Sequence, residues 1–85
     1  MKTSIHKIKK IIFKLIKSIS RNQDIEYDEN IHIYDGYGLD SAQYVTLLIE
    51  IENIFEIEFA DEMLVESNKF TIASLAAFLQ ELKEK

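Results

Sequence analysis

The chain contains no proline, and its only two glycines, Gly36 and Gly38, lie two residues apart. Proline and glycine are the residues that most disfavour a helix interior, so long helices are permitted almost everywhere else. The glycines lead into Asp40 and Ser41, after which apolar residues recur at helical spacing for about four turns, as far as Phe55. The sequence therefore predicts a helical protein in which one helix begins directly after the glycines.

Length and composition indicate one globular domain that spans residues 1–85. A chain of this size buries only about 60% of its unfolded surface, so we do not expect a deep catalytic pocket. Cysteine is absent, which excludes disulfides, thiolate metal sites and cysteine nucleophiles. No apolar run approaches the roughly 18 residues of a membrane span, and the lysine-rich N-terminus lacks the apolar core of a signal peptide. We therefore expect a cytoplasmic protein, and a monomer.

The first helix is predicted from about Ser4 to Ser18 or slightly beyond, with one apolar stripe and all its lysines on the other side. The stripe consists of Ile5, Ile8, Ile11, Ile12, Leu15, Ile16 and Ile19. Residues 1–23 carry seven bases and no acid, whereas residues 24–85 carry all fifteen acids and three lysines. A solvated face is the ordinary interpretation of the lysines. The alternative is a surface for an anionic membrane, nucleic acid or acidic partner.

Residues from about Ser20 to Asp40 show no sustained period and are predicted as a long loop that packs partly onto the core, with room for a short helical turn. The side chains expected to pack are Ile25, Tyr27, Ile31, Ile33 and Tyr34. Beyond the central helix, residues 61–66 suit a short third helix that carries Met63, Leu64 and Val65. Thr71 is predicted to cap a last helix, whose apolar face comprises Ile72, Leu75, Ala76, Phe78, Leu79 and Leu82. The predicted fold class is thus an all-α four-helix bundle with a long loop between helices one and two.

The second predicted helix, from Ser41 to about Glu56, has two apolar stripes where a surface helix needs one. The stripe assigned to the core comprises Tyr44, Leu47, Leu48, Ile51 and Phe55. The other stripe comprises Ala42, Val45 and Ile49, with Glu52 and Glu56 beside it. This second stripe is either further core or a docking surface for a partner.

The start of this helix has the residues of a variant capping box. Asp40 is a good N-cap and Gln43 follows three residues later, which makes Ser41 the first helical residue. A group attached to Ser41 would lie beside unpaired backbone N–H donors and the positive end of the helix dipole, a favourable place for a phosphate. The ordinary interpretation is a helix-start serine with no further role. Gly38 then supplies turn geometry, and Leu39 anchors the turn in the core.

The stretch Gly38-Leu39-Asp40-Ser41 followed by an amphipathic helix resembles the phosphopantetheine attachment site of acyl carrier proteins and peptidyl carrier proteins. Length, acidity, the long loop and the closing helix extend the resemblance over nearly the whole chain. It implies that Ser41 receives 4′-phosphopantetheine from coenzyme A through a phosphodiester, installed by a phosphopantetheinyl transferase that recognises Asp40. Gly38 and Leu39 match the same motif. The terminal thiol would hold acyl, polyketide or aminoacyl cargo as a thioester, so the protein would present intermediates and not act as an enzyme.

The resemblance also implies partners, namely acyl- or aminoacyl-loading and biosynthetic enzymes that contact Ala42, Val45 and Ile49. Glu52 and Glu56 would attract basic partner surfaces, mainly through the encounter rate.

The chain departs from the family pattern around the motif. Gly36, Tyr37 and Gly38 stand where Asp-Leu-Gly is usual, and Ala42 stands where leucine is usual. Gln43 and Thr46 occupy positions that are often acidic in fatty-acid carriers. These departures leave the attachment site intact but weaken the case for partners from housekeeping fatty-acid synthesis.

Other chemistry is not supported by spacing. His6 and His32 stand alone, without the clustering of a zinc site. With two histidines in separate segments and no cysteine, a hydrolytic triad is not predicted either. Each glycine, tried as the sixth residue of an EF-hand loop, puts Ile31 or Ile33 at the first ligand position, so no metal is predicted. Aromatic residues are not interleaved with the lysines, and nucleic acid is not the expected partner. The alternative function is a helical adaptor that binds an anionic surface through helix one and uses Ser41 only as a helix-start residue.

Overall fold

The computed structural model describes residues 4–59 and 70–84. Within these ranges the chain forms four helices: α1 (Ile5–Ser20), α2 (Ile33–Gly36), α3 (Ser41–Phe55) and α4 (Ile72–Glu84). This part of the chain contains no strand, only an isolated antiparallel bridge between His32 and Thr71. The predicted all-α fold is confirmed. The short third helix predicted at residues 61–66, with Met63, Leu64 and Val65, lies outside the described residues.

Helix α1 begins and ends at recognisable caps. The Ser4 side chain accepts a hydrogen bond from the His6 N–H at 3.2 Å. At the other end, Arg21 adopts a left-handed conformation (φ 59°) and donates its N–H to the Lys17 carbonyl at 3.0 Å. The helix therefore runs two residues past Ser18, in agreement with the prediction.

The core lies where α1 packs against both α3 and α4. The predicted stripe of α1 faces it, with Ile8, Ile12 and Ile16 fully buried and its other members half-buried. The stripe of α3 assigned to the core is buried as predicted. On α4, Ile72, Leu75, Ala76 and Leu79 are buried, and Phe78 and Leu82 are half-buried. Burial of large apolar side chains, at about 1.5–3 kcal/mol each, is the main force that holds the three long helices together.

The connection between α1 and α3 packs onto the core with one exception among the predicted residues. Ile33 is fully buried, and Ile25, Ile31 and Tyr34 are half-buried. Tyr27 is the exception, because it is 46% exposed. Its ring packs edge-on against the half-buried Phe13, at a centroid distance of 5.1 Å, and so lies at the edge of the core and not within it.

Tyr37, which the sequence marked only as a departure from the family motif, is buried at 8% exposure. Its hydroxyl donates to the Asp28 carbonyl at 2.7 Å and accepts the Asp28 N–H at 3.0 Å. The side chain thus closes the loop on itself across nine residues.

The loop is also fastened to α1 and to the start of α4. Lys9 of α1 forms an ion pair with Glu29 of the loop at 2.9 Å, and the Ala73 N–H of α4 donates to the Glu29 carbonyl at 3.0 Å. The prediction that all lysines of α1 project away from the packed side is therefore wrong for Lys9, because the loop folds back over that edge of the helix.

No helix of the described ranges is long and apolar enough to cross a membrane.

Candidate functional site

The start of α3 is held by the predicted capping box, which is confirmed in both directions. The Asp40 carboxylate accepts the Gln43 N–H at 2.7 Å, and the Gln43 side-chain oxygen accepts the Asp40 N–H at 3.0 Å. The Gln43 amide also donates to the Ile19 carbonyl at 3.1 Å, which ties this helix start to the end of α1. These bonds make Ser41 the first helical residue and fix its backbone.

The approach to the helix depends on the two glycines. Gly38 has a φ of +68°, in the left-handed region that favours glycine, so its predicted turn role is confirmed. A Cβ at Gly36 would lie 2.5 Å from the Ile31 side chain. Leu39 is buried at 5% exposure, in agreement with its predicted anchoring role. The chain therefore reaches Asp40 from a turn that is anchored in the core.

Ser41 itself is exposed, and its hydroxyl oxygen lies 3.0 Å from the hydroxyl oxygen of Tyr34. The first four N–H groups of a helix have no partner within it. At α3, the Asp40 carboxylate accepts the Gln43 N–H and the Asp40 carbonyl accepts the Tyr44 N–H. The N–H groups of Ser41 and Ala42 therefore remain without an intrahelical partner.

The residues at this helix start fit a covalently attached phosphate. The Ser41 hydroxyl is accessible from solvent, and N–H donors and the positive end of the dipole lie beside it.

Sequence reasoning missed the part that Tyr34 takes in this site. Tyr34 was expected to pack onto the core, and its ring does so while its hydroxyl reaches Ser41. The two residues are seven positions apart across an irregular segment, so no periodic pattern links them. The only available signal was that a tyrosine follows the buried Ile33 and therefore carries a polar group close to the core surface.

The second stripe of α3 lies in solvent. Val45 and Ile49 are 41% and 47% exposed, and Ala42 is exposed as well. The interpretation of the stripe as further core is therefore wrong, because α3 buries its other stripe in the core that it forms with α1. Docking of a partner here remains a prediction.

The two glutamates beside the stripe differ from each other. Glu56 is exposed at the end of α3, with a φ of 54°. Glu52 is half-buried, and its carboxylate accepts the Phe59 N–H at 2.7 Å. Glu52 thus helps to turn the chain back towards the core after α3, a local role that the sequence did not show.

An open groove separates the end of α1 from the first turn of α3. It is lined by Ser18, Ile19, Arg21, Asp40, Ala42, Gln43 and Thr46. No group of His, Asp or Glu side chains in the described ranges is arranged to hold a metal ion.

Comparison with known proteins identifies a family whose model covers most of the chain. The family model for the phosphopantetheine attachment site matches residues 10–79, a range that includes all of α3 and the loop before it. The D-alanyl carrier protein of Lactococcus lactis subsp. lactis (strain IL1403) is 26% identical over 78 residues, which cover 92% of this chain and 99% of that protein. No solved structure matches the chain.

Proposed function

This chain belongs to the phosphopantetheine attachment site family, and we propose that Ser41 is the residue that carries its cofactor. The family makes it a carrier protein with a domain for covalent 4′-phosphopantetheine. Carrier proteins work with phosphopantetheinyl transferases and biosynthetic enzymes and are generally not catalytic. The observation that supports Ser41 is an exposed hydroxyl on the first residue of a capped helix.

Three other serines of the described ranges are engaged in local structure. The Ser4 hydroxyl accepts a helix-start N–H, and the Ser20 hydroxyl donates to the Lys17 carbonyl at 3.3 Å. The Ser74 hydroxyl accepts the Thr71 N–H at 2.8 Å. Ser18 is exposed, but it lies inside α1 and away from any helix start. Ser41 combines exposure with helix-start N–H groups that have no intrahelical partner.

The residues around Ser41 hold and present the attachment point. Asp40 and Gln43 keep the helix start in place, and Gly38 and Leu39 shape the approach. When bound, the cofactor supplies a thiol that holds cargo as a thioester. The chain itself contributes position, exposure and a favourable electrostatic environment for the phosphate.

We propose that the cargo is an acyl, polyketide or aminoacyl group, with an aminoacyl group as the first to test. The relative that is similar over almost its whole length is a D-alanyl carrier protein. The non-acidic Gln43 and Thr46 of α3 also weaken the case for partners from housekeeping fatty-acid synthesis.

The exposed stripe of α3 is proposed to contact the transferase and the loading and biosynthetic enzymes. Ala42, Val45 and Ile49 supply apolar contact area, and Glu56 supplies an exposed negative charge. Since the Glu52 carboxylate already accepts a backbone N–H, we expect it to act through its charge more than through a new hydrogen bond.

The proposal is tested by intact mass after incubation with coenzyme A and a broad-specificity phosphopantetheinyl transferase. The wild type should gain one phosphopantetheinyl group, and Ser41→Ala should gain none. Ser18→Ala is the matched control, since Ser18 is also exposed and lines the neighbouring groove, and it should be modified at the wild-type rate. An unmodified wild type would favour the adaptor that binds an anionic surface through the lysines of α1. Modification of Ser41→Ala would place the attachment site elsewhere.

The cargo proposal is tested on the phosphopantetheine-bearing protein with loading enzymes for D-alanine and for a short fatty acid. We expect a mass gain of one alanyl group that hydroxylamine removes, as a thioester requires. Loading by the fatty acid alone would contradict the aminoacyl proposal and leave the carrier role in place.

A further inference from the structure

We infer that Tyr34 is a positioning residue for the attachment reaction and that its hydroxyl group sets the orientation of the Ser41 hydroxyl. This inference rests on the proposed attachment at Ser41. The two hydroxyl oxygens lie 3.0 Å apart, and either can be the donor. Tyr34 lies on α2, outside the Gly38–Ser41 segment that carries the resemblance to the attachment site.

Contacts that do not involve Ser41 hold Tyr34 in place. The preceding residue, Ile33, is fully buried, and its N–H donates to the Phe70 carbonyl at 2.8 Å. The Tyr34 ring packs edge-on against Tyr44, at a centroid distance of 5.4 Å and an interplanar angle of 79°. Tyr44 is itself buried in the core stripe of α3. The position of the Tyr34 ring relative to α3 is therefore fixed by contacts other than its hydrogen bond with Ser41.

A fixed phenol matters because an exposed serine hydroxyl otherwise rotates among three staggered positions. The hydrogen bond favours the one rotamer in which the Ser41 oxygen faces Tyr34. A net hydrogen-bond contribution of ordinary size corresponds to about a fivefold preference. In that rotamer the oxygen is held at one place on the helix start, where a visiting enzyme meets it in a defined geometry.

In the transfer, the Ser41 oxygen forms a bond to the pantetheine-bearing phosphorus of coenzyme A while the anhydride P–O bond breaks. Adenosine 3′,5′-bisphosphate leaves with the bonding electrons, and the serine proton passes to a base of the transferase. Afterwards the Ser41 oxygen has no proton, so only Tyr34 can donate. Its hydroxyl is then placed to donate to the ester or phosphate oxygens.

The three tyrosines of the loop provide a matched control. The Tyr27 hydroxyl donates to the Glu29 carboxylate at 2.9 Å, and the Tyr37 hydroxyl is bonded to the Asp28 backbone. Tyr27→Phe therefore removes a partly exposed phenol hydroxyl away from Ser41. Tyr34→Phe removes one that contacts it and keeps the ring packed on Tyr44.

The experiment has two readouts. The first is the NMR three-bond coupling between the Hα and Hβ protons of Ser41 in unmodified protein. Wild type and Tyr27→Phe should show the values of one dominant rotamer, and Tyr34→Phe should show averaged values. The second is kcat/KM for modification by the transferase, which we expect to fall about fivefold in Tyr34→Phe and to stay within twofold of wild type in Tyr27→Phe.

The outcomes separate this inference from the proposed function. A wild type that is never modified contradicts the attachment proposal, whereas the coupling of unmodified Ser41 tests the role of Tyr34 independently. Averaged couplings in the wild type would overturn the inference without any variant, even if Tyr34→Phe did not fold. Unchanged couplings and rate in a folded Tyr34→Phe would overturn it as well, and so would an equal loss of rate in Tyr27→Phe.

Discussion

The starts of α3 and α4 are held by the same kind of capping box but differ in how exposed the first helical residue is. Each helix begins with a reciprocal capping box, formed by Asp40 and Gln43 at α3 and by Thr71 and Ser74 at α4. The predicted cap at Thr71 is thereby confirmed. The first helical residue is an exposed serine at α3 but the fully buried Ile72 at α4. A cap thus decides where a helix begins and leaves open whether its first residue can be reached.

The loop before α3 causes this difference. At α4 the second helical residue, Ala73, donates its N–H to the Glu29 carbonyl at 3.0 Å, and the His32–Thr71 bridge lies next to it. The equivalent N–H at α3 belongs to Ala42, which is exposed. The loop therefore covers one helix start and leaves the other open for an attached group.

The largest expected effect is the difference in stability between an aspartate introduced at equivalent positions of α3 and α4, one turn after each helix begins. Val45 and Ala76 each lie four residues after the first helical residue, yet Val45 is 41% exposed and Ala76 is fully buried. Ala76→Asp should lose about 3 kcal/mol or more of unfolding free energy, because it buries a charge without a partner. Val45→Asp should stay within about 0.5 kcal/mol of wild type. Urea denaturation monitored by circular dichroism measures both.

Val45→Asp should nevertheless impair turnover with partner enzymes, because a charge now lies in the proposed apolar contact. A large loss of stability in Val45→Asp would show that the stripe supports the core and would remove the distinction between the two helices.

An intermediate loss of stability is expected when the N-cap side chain of either capping box is removed. Asp40→Ala and Thr71→Ala should each cost about 1 kcal/mol of unfolding free energy, since each removes a side chain that accepts a helix-start N–H. Only Asp40→Ala should also slow modification of Ser41, because the helix start that carries the hydroxyl then frays.

Amide hydrogen exchange at Gln43 and Ser74 reports on each box separately, with the other box in the same molecule as its control. A slower modification of Thr71→Ala, equal to that of Asp40→Ala, would argue that global stability and not the local cap controls the reaction.

The smallest effect concerns the loop that covers α4. Hydrogen bonds from Lys9 and then from Tyr27 hold the pKa of the Glu29 carboxyl below its ordinary value of 4.5. Because the folded-state pKa is lowered, the stabilising contribution is present above about pH 4.5 and is lost as the pH falls through the folded-state pKa. Lys9→Met should raise the Glu29 pKa towards 4.5, as measured by carbon NMR titration of that side chain.

Lys10→Met is the control for this titration, since Lys10 is the exposed neighbour and forms no ion pair with Glu29 among the described contacts. Equal shifts in both variants would mean that the general positive charge of α1, and not the Lys9 contact, sets the Glu29 pKa.

Local features were predictable and nonlocal ones were not. The capping box at Asp40, the left-handed turn at Gly38 and the buried stripe of α3 all depend on residues within a few positions of one another. The roles of Tyr37 and Lys9 were not predicted, because each depends on how an irregular loop folds back over another element. The amphipathic pattern of α3 identified the core stripe but did not show whether the second stripe was also buried.

The sequence was enough to predict where the long described helices begin, which of their faces are apolar, and that a serine follows an Asp N-cap. Those properties follow from side chains acting on neighbouring backbone, so they can be read from spacing. Two other features depend on the packed molecule: the start of α3 stays open while that of α4 is covered, and the Tyr34 hydroxyl lies next to the Ser41 hydroxyl. Both depend on where the loop packs, which is set by the combined burial of residues far apart in the chain.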